Sequence, residues 1–286
     1  MATNNGRNSS IKKNRNLTKI LVYVIIVVIS FVFLVPFFWM IFTSLKSFQE
    51  IYQNPPTIFP HKLYFENYTS AVTKMPFLRY FLNTLVIAVL CVVGTVLSSS
   101  MVAYSMSKVK WKGSKYLFPI IVGTMMIPTQ VTMIPLYILF TKMKLVGTMV
   151  PLILPTFFGG AYYIFLLRQF FKTIPDSLIE SATIDGAKDM TIFAKIILPL
   201  CKPAITSVAI FTFLANWSDF LGPLLYLNKQ EQYTLSLGLQ AFMQTHFVEW
   251  GPLMAASAIF TVPIIILFFF AQSYFIEGIT VTGIKG

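Results

Sequence analysis

ESATIDGAKDMTIFAKIILPLCKP, residues 180–203, is a polar, charge-bearing island between two long apolar segments. Asp185-Gly186 is a turn signal, because glycine alone takes left-handed backbone angles without strain, so the stretch reads as two short helices joined there. Upstream, Thr173-Ile174-Pro175-Asp176 offers a helix opening: Thr as a cap, Pro in the first turn, and Asp facing the positive end of the dipole. Downstream, Phe193, Ile196, Ile197 and Leu200 recur at helical spacing until Pro199 and Pro203 disturb the pattern. A loop with this much local structure between apolar segments points to a docking surface rather than a linker.

Outside that island the chain is dominated by lipid-compatible sequence. Of its 286 residues 56% are hydrophobic and 11% charged, and the mean hydropathy is +0.72. Soluble domains carry about 25% charged residues, so the deficit marks lipid as the solvent. Charge-poor windows of roughly the ~20 residues needed to cross hydrocarbon predict six spans, at about 20–43, 81–106, 117–140, 147–167, 204–227 and 253–275. Residues 1–19 form a basic tail without an acid, expected to be disordered and cytoplasmic. The run after it is too long for the ~7–15-residue core of a signal peptide. Residues 46–79, rich in Pro and aromatics, are expected on the outer face with some fixed structure, and 228–252 as a sparse outer loop.

Charge placement supplies the topology. Lys108, Lys110, Lys112 and Lys115 mark a cytoplasmic link, whereas the link at Lys142 and Lys144 must be external despite its lysines. Basic residues assigned inside outnumber those outside about two to one, which puts both termini and the 170–203 loop in the cytoplasm. The net charge of +12 sits in short blocks beside apolar runs, an arrangement that argues for the positive-inside rule and against nucleic acid as a partner. Cys91 and Cys201 fall in or beside separate apolar segments and read as packing residues without a disulfide. No internal repeat is visible, which weighs against the duplicated architecture of many secondary transporters.

The sequence shows no enzyme. Phosphate-binding G-x-x-x-x-G-K-[ST], G-x-S-x-G and H-E-x-x-H are all missing, and His61 and His246 are isolated loop residues. Energy for transport must therefore come from a partner or an ion gradient. An ion-coupled carrier should keep ionisable groups within its spans, and this chain offers Asp219, in Asn216-Trp217-Ser218-Asp219. If that span begins near Ala204, Asp219 lies roughly 23 Å along it, in the outer third of the core. It is either an interfacial carboxylate or, with Asn216 and Trp217, a candidate lining residue of a translocation path. Gly222-Pro223 just beyond suggests an interrupted helix, tolerated only beside protein or a cavity. Asn83, Ser98, Ser99, Ser100, Thr124, Thr129, Gln130, Thr132 and Gln272 are expected to hydrogen-bond between helices. Pro36, Pro128, Pro135 and Pro263 are expected to bend theirs.

The spacing Glu180, Ala182, Asp185-Gly186-Ala187, Phe193, Ile196, Leu198-Pro199 and Pro203 resembles the EAA signature of bacterial ABC-importer permeases, with Ser181 where the first Ala of the motif is usual. Pro55-Pro56, Phe59-Pro60 and Asn67-Tyr68, then Asn216 through Pro223 and Glu277-Gly278-Ile279-Thr280 through Gly286, are similar to the carbohydrate branch of that family, the maltose-type "G" permeases. The resemblance implies an all-α, type I importer permease fold in the bacterial cytoplasmic membrane. It implies a second permease subunit, two ATPase subunits or domains that hold ATP and Mg, an extracytoplasmic binding protein, and no cofactor on this chain. It implies that Glu180, Ser181, Ala182, Asp185, Gly186, Ala187, Phe193 and Pro199 form a coupling helix and turn seated in the ATPase, with Glu180 pairing to a basic group there. The implied cargo is an oligosaccharide or related sugar, with glycerol phosphate or acidic sugars as the alternative within the class. A self-sufficient carrier or channel is the rival outside it, and an intramembrane enzyme would need paired catalytic groups that Asp219 alone does not provide.

Overall fold

The computed structural model describes the backbone of residues 4–243 and 247–283, with side chains for Asn16, 18–243 and 247–272. The described residues are helical almost throughout, with an isolated antiparallel bridge between Met243 and Val248. In chain order the helices are α1 (Asn4–Ser44), α2 (Phe48–Ile51), α3 (Glu66–Thr73), α4 (Phe77–Ser107), α5 (Ser114–Thr124), α6 (Thr129–Lys142), α7 (Val150–Ile153) and α8 (Ala161–Thr173). They continue with α9 (Asp176–Ile184), α10 (Asp189–Ile192), α11 (Leu198–Leu200), α12 (Lys202–Trp217), α13 (Leu221–Tyr226), α14 (Leu235–Gly238) and α15 (Trp250–Gly283). Four segments are long and apolar enough to cross a membrane: Thr18–Ser44, Phe77–Ser107, Val150–Thr173 and Trp250–Gln272. Two bent helix pairs bring the number to as many as six.

The departures from expectation have local causes. The tail is helical from Asn4 rather than disordered, because extending an established helix adds one hydrogen bond per residue fixed, and no proline intervenes. Pro36 and Pro263 lie inside α1 and α15 without breaking them. The third expected span is not one rod: α5 and α6 meet at 97° across Met125–Pro128, where Pro128 cannot donate to a helix bond. The fourth contains a 3-10 turn, Leu154–Phe158, and a break at Gly159-Gly160. It then continues to Thr173, beyond the expected end near 167. It can carry Arg168 because the guanidinium lies 3.6 Å from the Phe118 ring centre and Nε donates to the Met106 carbonyl at 3.0 Å. The sixth helix runs past 275, and the side chains of the C-terminal motif, Glu277 to Gly286, lie outside the described residues, as does His246.

The chain divides into two compact units. The first comprises residues 1–71 and 242–259. There, the end of α1 is tied to its loop by the buried Asn67, whose amide donates to the carbonyls of Ser44 (3.0 Å) and Lys46 (2.8 Å). The Ser44 and Tyr68 hydroxyls meet at 2.8 Å. Glu50 Oε1 accepts from the His61 amide (2.8 Å), the His61 ring Nδ1 (2.7 Å) and the Thr57 hydroxyl (3.1 Å). Burial by itself would raise the Glu50 carboxyl, but these bonds together hold it below the ordinary value.

The second unit, residues 72–241 and 260–286, is built on α4, which packs against α12 and α8 along most of its length. Gly94 lets α4 approach the 3-10 turn, since a Cβ there would stand 2.6 Å from Thr156 Oγ1. The Ser98 hydroxyl donates to the Thr156 carbonyl at 3.0 Å and Ser99 Oγ accepts from the Gly160 amide at 3.2 Å, the interhelical role expected of them. Cys91 and Cys201 are buried free thiols. The segment expected to be a sparse loop is structured instead. Asn83 Nδ2 donates to the carbonyls of Glu231 (2.9 Å) and Tyr233 (3.0 Å), and the Leu235 amide donates to Thr84 Oγ1 (2.9 Å). Polar groups on α4 thus pin Glu231–Leu235, and Leu235 and Leu237 are buried.

Candidate functional site

The 170–203 region folds as an elbow. α8 closes at Thr173, whose hydroxyl donates back to the Phe170 carbonyl at 2.7 Å, so it is not the cap expected for the next helix. α9 opens at Asp176 after Pro175, which has no side chain able to cap it. At the other end Gly186 has φ +80°, the left-handed angle that Asp185-Gly186 predicts. The Gly186 amide donates to the Thr183 carbonyl (3.0 Å) and the Ala187 amide to the Ala182 carbonyl (2.9 Å). These paired bonds form a Schellman closure, which satisfies carbonyls that the helix end would leave open.

After α10 the backbone widens to a π turn, Phe193–Ile197, and then α11 carries Pro199. The cause is Pro199: it has no N–H for the Lys195 carbonyl, and its ring needs the room that the wider turn gives. At Cys201 the path swings by 82° into α12. The two prolines that disturb the apolar period therefore flank the bend.

One face of this elbow is a core. Ala182, Ile192, Phe193, Ile197 and Cys201 pack with Ala103 and Tyr104 of α4, Leu167 and Phe171 of α8, and Ala204 and Val208 of α12. Phe193 and Tyr104 have ring centres 5.2 Å apart. The other face is bare. Glu180, Ser181, Asp185, Gly186 and Pro199 are exposed, whereas the half-buried Ala187 packs against the core. Ile184 is 86% exposed and Met190 60%, beside an open Gly186 where an added Cβ meets nothing within 4 Å. Isolated exposed apolar side chains are ordinary, but a cluster on a helix whose opposite face is anchored marks an interaction surface.

Lys108, at the end of α4, fixes where α9 begins. Its side chain is 3% exposed, and Nζ donates to the Ile174 carbonyl (2.6 Å) and Asp176 Oδ1 (2.6 Å). That hydrogen bond, reinforced by the lysine's charge, holds the Asp176 carboxyl below the usual range. In the sequence Lys108 reads only as a loop cation, because no local pattern links it to Asp176 on a different helix.

The second cluster lies where the fifth expected span breaks, at Ser218–Phe220 between α12 and α13. The interruption expected from Gly222-Pro223 is present and begins just before them. Asp219 Oδ1 accepts from the Gly222 amide at 3.1 Å, capping α13, and the Asp219 carbonyl accepts from the Ser236 hydroxyl. Asn216 is half-buried, with Nδ2 donating to the Thr212 carbonyl at 2.8 Å. Trp217 is fully buried. Its Nε1 donates to the Phe260 carbonyl at 3.1 Å, and its ring packs against Phe81, Phe213 and Phe260. It holds the helix ahead of the break.

Comparison with known proteins supplies the family. Residues 94–281 match the model of the binding-protein-dependent transport system inner membrane component, and the chain belongs to that family. It is 34% identical over 261 residues, 90% of this chain and 93% of the other, to the arabinooligosaccharides transport system permease protein AraQ of Halalkalibacterium halodurans. It is 32% identical over 259 residues, 91% and 94% of the two chains, to the probable starch degradation products transport system permease protein AmyC of Thermoanaerobacterium thermosulfurigenes. In fold it is similar to a chain of a bacterial ABC transporter involved in the import of the acidic polysaccharide alginate, with TM-score 0.81 at 23% identity over 92% of this chain and 98% of that one.

Proposed function

We propose that this chain is one permease subunit of an ATP-driven importer for oligosaccharides or related sugars, with six spans and both termini in the cytoplasm. A second permease completes the path, an extracytoplasmic binding protein delivers the sugar, and two ATPase subunits hold ATP and Mg. The observation that carries this reading is the elbow, bare on the α9 side and locked on the other to α4, α8 and α12. Such an element passes a push on α9 to the spans as rigid-body motion. Relatives named for arabinooligosaccharides and starch degradation products support a saccharide as cargo. In this reading Glu180, Ser181, Asp185 and Gly186 face the ATPase, while Ala182 and Ala187 anchor them to the core and Phe193 and Pro199 shape the elbow behind. Asp219 and Asn216 border the path, with Trp217 as their support.

The test is purification of the chain with its operon partners, followed by uptake into proteoliposomes. ATP-dependent uptake of a sugar, lost with Glu180→Lys while the chain still accumulates, is the expected result. Uptake by the chain alone without ATP would establish a self-sufficient carrier instead. Cysteine labelling at position 184 from one side of the membrane then decides the orientation.

A further inference from the structure

At the Ser44 end of α1 the first unit contains a cavity of about 260 Å³, walled by α1, the loop through α2, and the start of α15. Its lining combines two half-exposed indoles, Trp39 and Trp250, and the Tyr52 ring with three polar groups, Thr43, Lys46 and Glu50. The Thr43 hydroxyl is the decisive one. Thr43 is 6% exposed, and its Oγ1 has no hydrogen-bond partner. Buried hydroxyls are nearly always paired, so one left over on a cavity wall is a donor and acceptor suited to a ligand.

The other polar groups have capacity to spare. Lys46 Nζ donates to the Thr57 carbonyl and lies 5.0 Å from the Trp39 ring centre, which leaves it further protons to give. All three bonds to Glu50 fall on Oε1, leaving Oε2 as an acceptor. The two charges are of opposite sign, so the cavity offers donors and acceptors without a net charge to attract an anion. Aromatic faces beside such groups match one chemistry well. A sugar ring presents C–H faces that pack on indoles and a rim of hydroxyls that needs both donors and acceptors. The volume is that of roughly eight or nine waters, enough for a single six-membered ring but not for a chain of them.

We propose that this cavity is a subsite for one neutral pyranose ring at the mouth of the importer, an assignment that rests on the sugar-import reading above. In the proposed orientation the Ser44 end of α1 is the outer end, so the ring held here belongs to a saccharide on its way in.

The experiment uses the assembled importer in lipid nanodiscs, without binding protein, titrated by intrinsic tryptophan fluorescence. The probes are D-glucose, L-arabinose, N-acetylglucosamine and D-glucuronate, and uptake of an oligosaccharide into proteoliposomes is measured in parallel. A saturable change with a neutral sugar is expected. Thr43→Val should weaken it by about three- to tenfold, the worth of one hydrogen bond, Thr43→Ser should restore it, and Trp250→Leu should abolish it. Uptake KM should rise with Thr43→Val by the same factor. Should Trp250→Leu fail to assemble, the Val and Ser variants decide between them. Wild-type binding and KM in Thr43→Val, or binding of glucuronate alone, overturns the subsite while oligosaccharide uptake by the wild type keeps the import reading standing. If the wild type takes up no saccharide and binds none, both fall.

Discussion

Gly186 separates two explanations of why the elbow turns as it does, backbone geometry and close approach by a partner. Its φ of +80° lies in the left-handed region, where a Cβ costs about 1–2 kcal/mol. An added Cβ nevertheless meets nothing within 4 Å in this chain. Gly186→Ala therefore adds strain and little bulk. Gly186→Asn adds bulk with less strain, because Asn tolerates the left-handed region better than other side chains. If the surface only has to fold, Ala is the worse variant, with the closed turn reduced by about five- to thirtyfold relative to the open one. If a partner must approach the backbone, Asn is the worse one, since its side chain projects from the bare face beside Ile184. The assay is accumulation of each variant in membranes, co-purification of the ATPase, and ATP-driven uptake. Both variants are expected to accumulate normally, with Asn losing at least about tenfold in ATPase retention, equivalent to ~1.4 kcal/mol, and uptake falling in step. Wild-type uptake by Gly186→Asn refutes the docking argument. A deeper loss in Ala than in Asn would trace the effect to strain.

Lys108→Met should loosen the start of α9, because a charge-assisted hydrogen bond to a carbonyl is worth about 1.5–3 kcal/mol. Amide exchange across 176–184 should accelerate by roughly tenfold to a hundredfold, and unchanged exchange would remove Lys108 from the mechanism. Asp176→Asn should do less, since Lys108 keeps its bond to Ile174. Asp219→Asn should leave accumulation unchanged, because the amide oxygen still accepts from Gly222, while Asp219→Leu loses a cap worth about 1 kcal/mol. Uptake reduced by Asn at full accumulation would support a lining role for Asp219, and uptake equal to wild type would leave it as a cap. The Glu50 carboxyl is lower in the folded protein than its unfolded value of about 4.3. Its stabilisation is thus complete above that value and is lost as pH falls through the folded one. The 46–64 loop should resist proteolysis at neutral pH and become sensitive in acid, as the pH falls below the unfolded carboxyl value and through the lower folded one, and Glu50→Gln should remove the pH dependence.

Where one local rule governs a feature, the sequence is a sufficient guide. Hydropathy finds the four long apolar helices because apolar length is all that lipid demands, and the Asp185-Gly186 turn is legible because only one backbone geometry suits it. The failures share a different cause. Thr173 reads as a cap from its position beside Pro175, yet its hydroxyl serves the helix behind it, a choice between two local partners that composition does not settle. The 228–252 segment reads as a sparse loop because its anchors, Asn83 and Thr84, lie on another helix far away in the chain. Trp217, placed beside Asp219 as a lining residue, is instead fully buried among three phenylalanines supplied by α4, α12 and α15.

The break after Trp217 and the bend at Cys201 together make α12 a stiff rod with a joint at each end. At the lower joint Pro203 has no N–H for the Pro199 carbonyl, while Cys201 keeps a backbone bond to each side, its amide to the Ile197 carbonyl and its carbonyl to the Ile205 amide (3.0 Å each), so the 82° angle is held by these bonds together with side-chain packing of Phe193, Ile197 and Cys201. At the upper joint Asp219 caps α13 afresh, and Trp217 clamps the rod against α4 and α15. A rod that bends at its two ends in this way can tilt without its own helical turns unwinding. Interiors packed this closely resist compression, so displacement of α9 has to reappear as motion of the elements that share its core, α4, α8 and α12. The bare face of the elbow and the broken fifth span are, on this argument, two ends of one lever. Stiffening the lower joint by Pro199→Ala, which restores a donor for the Lys195 carbonyl, should therefore lower uptake per ATP hydrolysed without lowering ATPase retention. An unchanged ratio would separate the two ends.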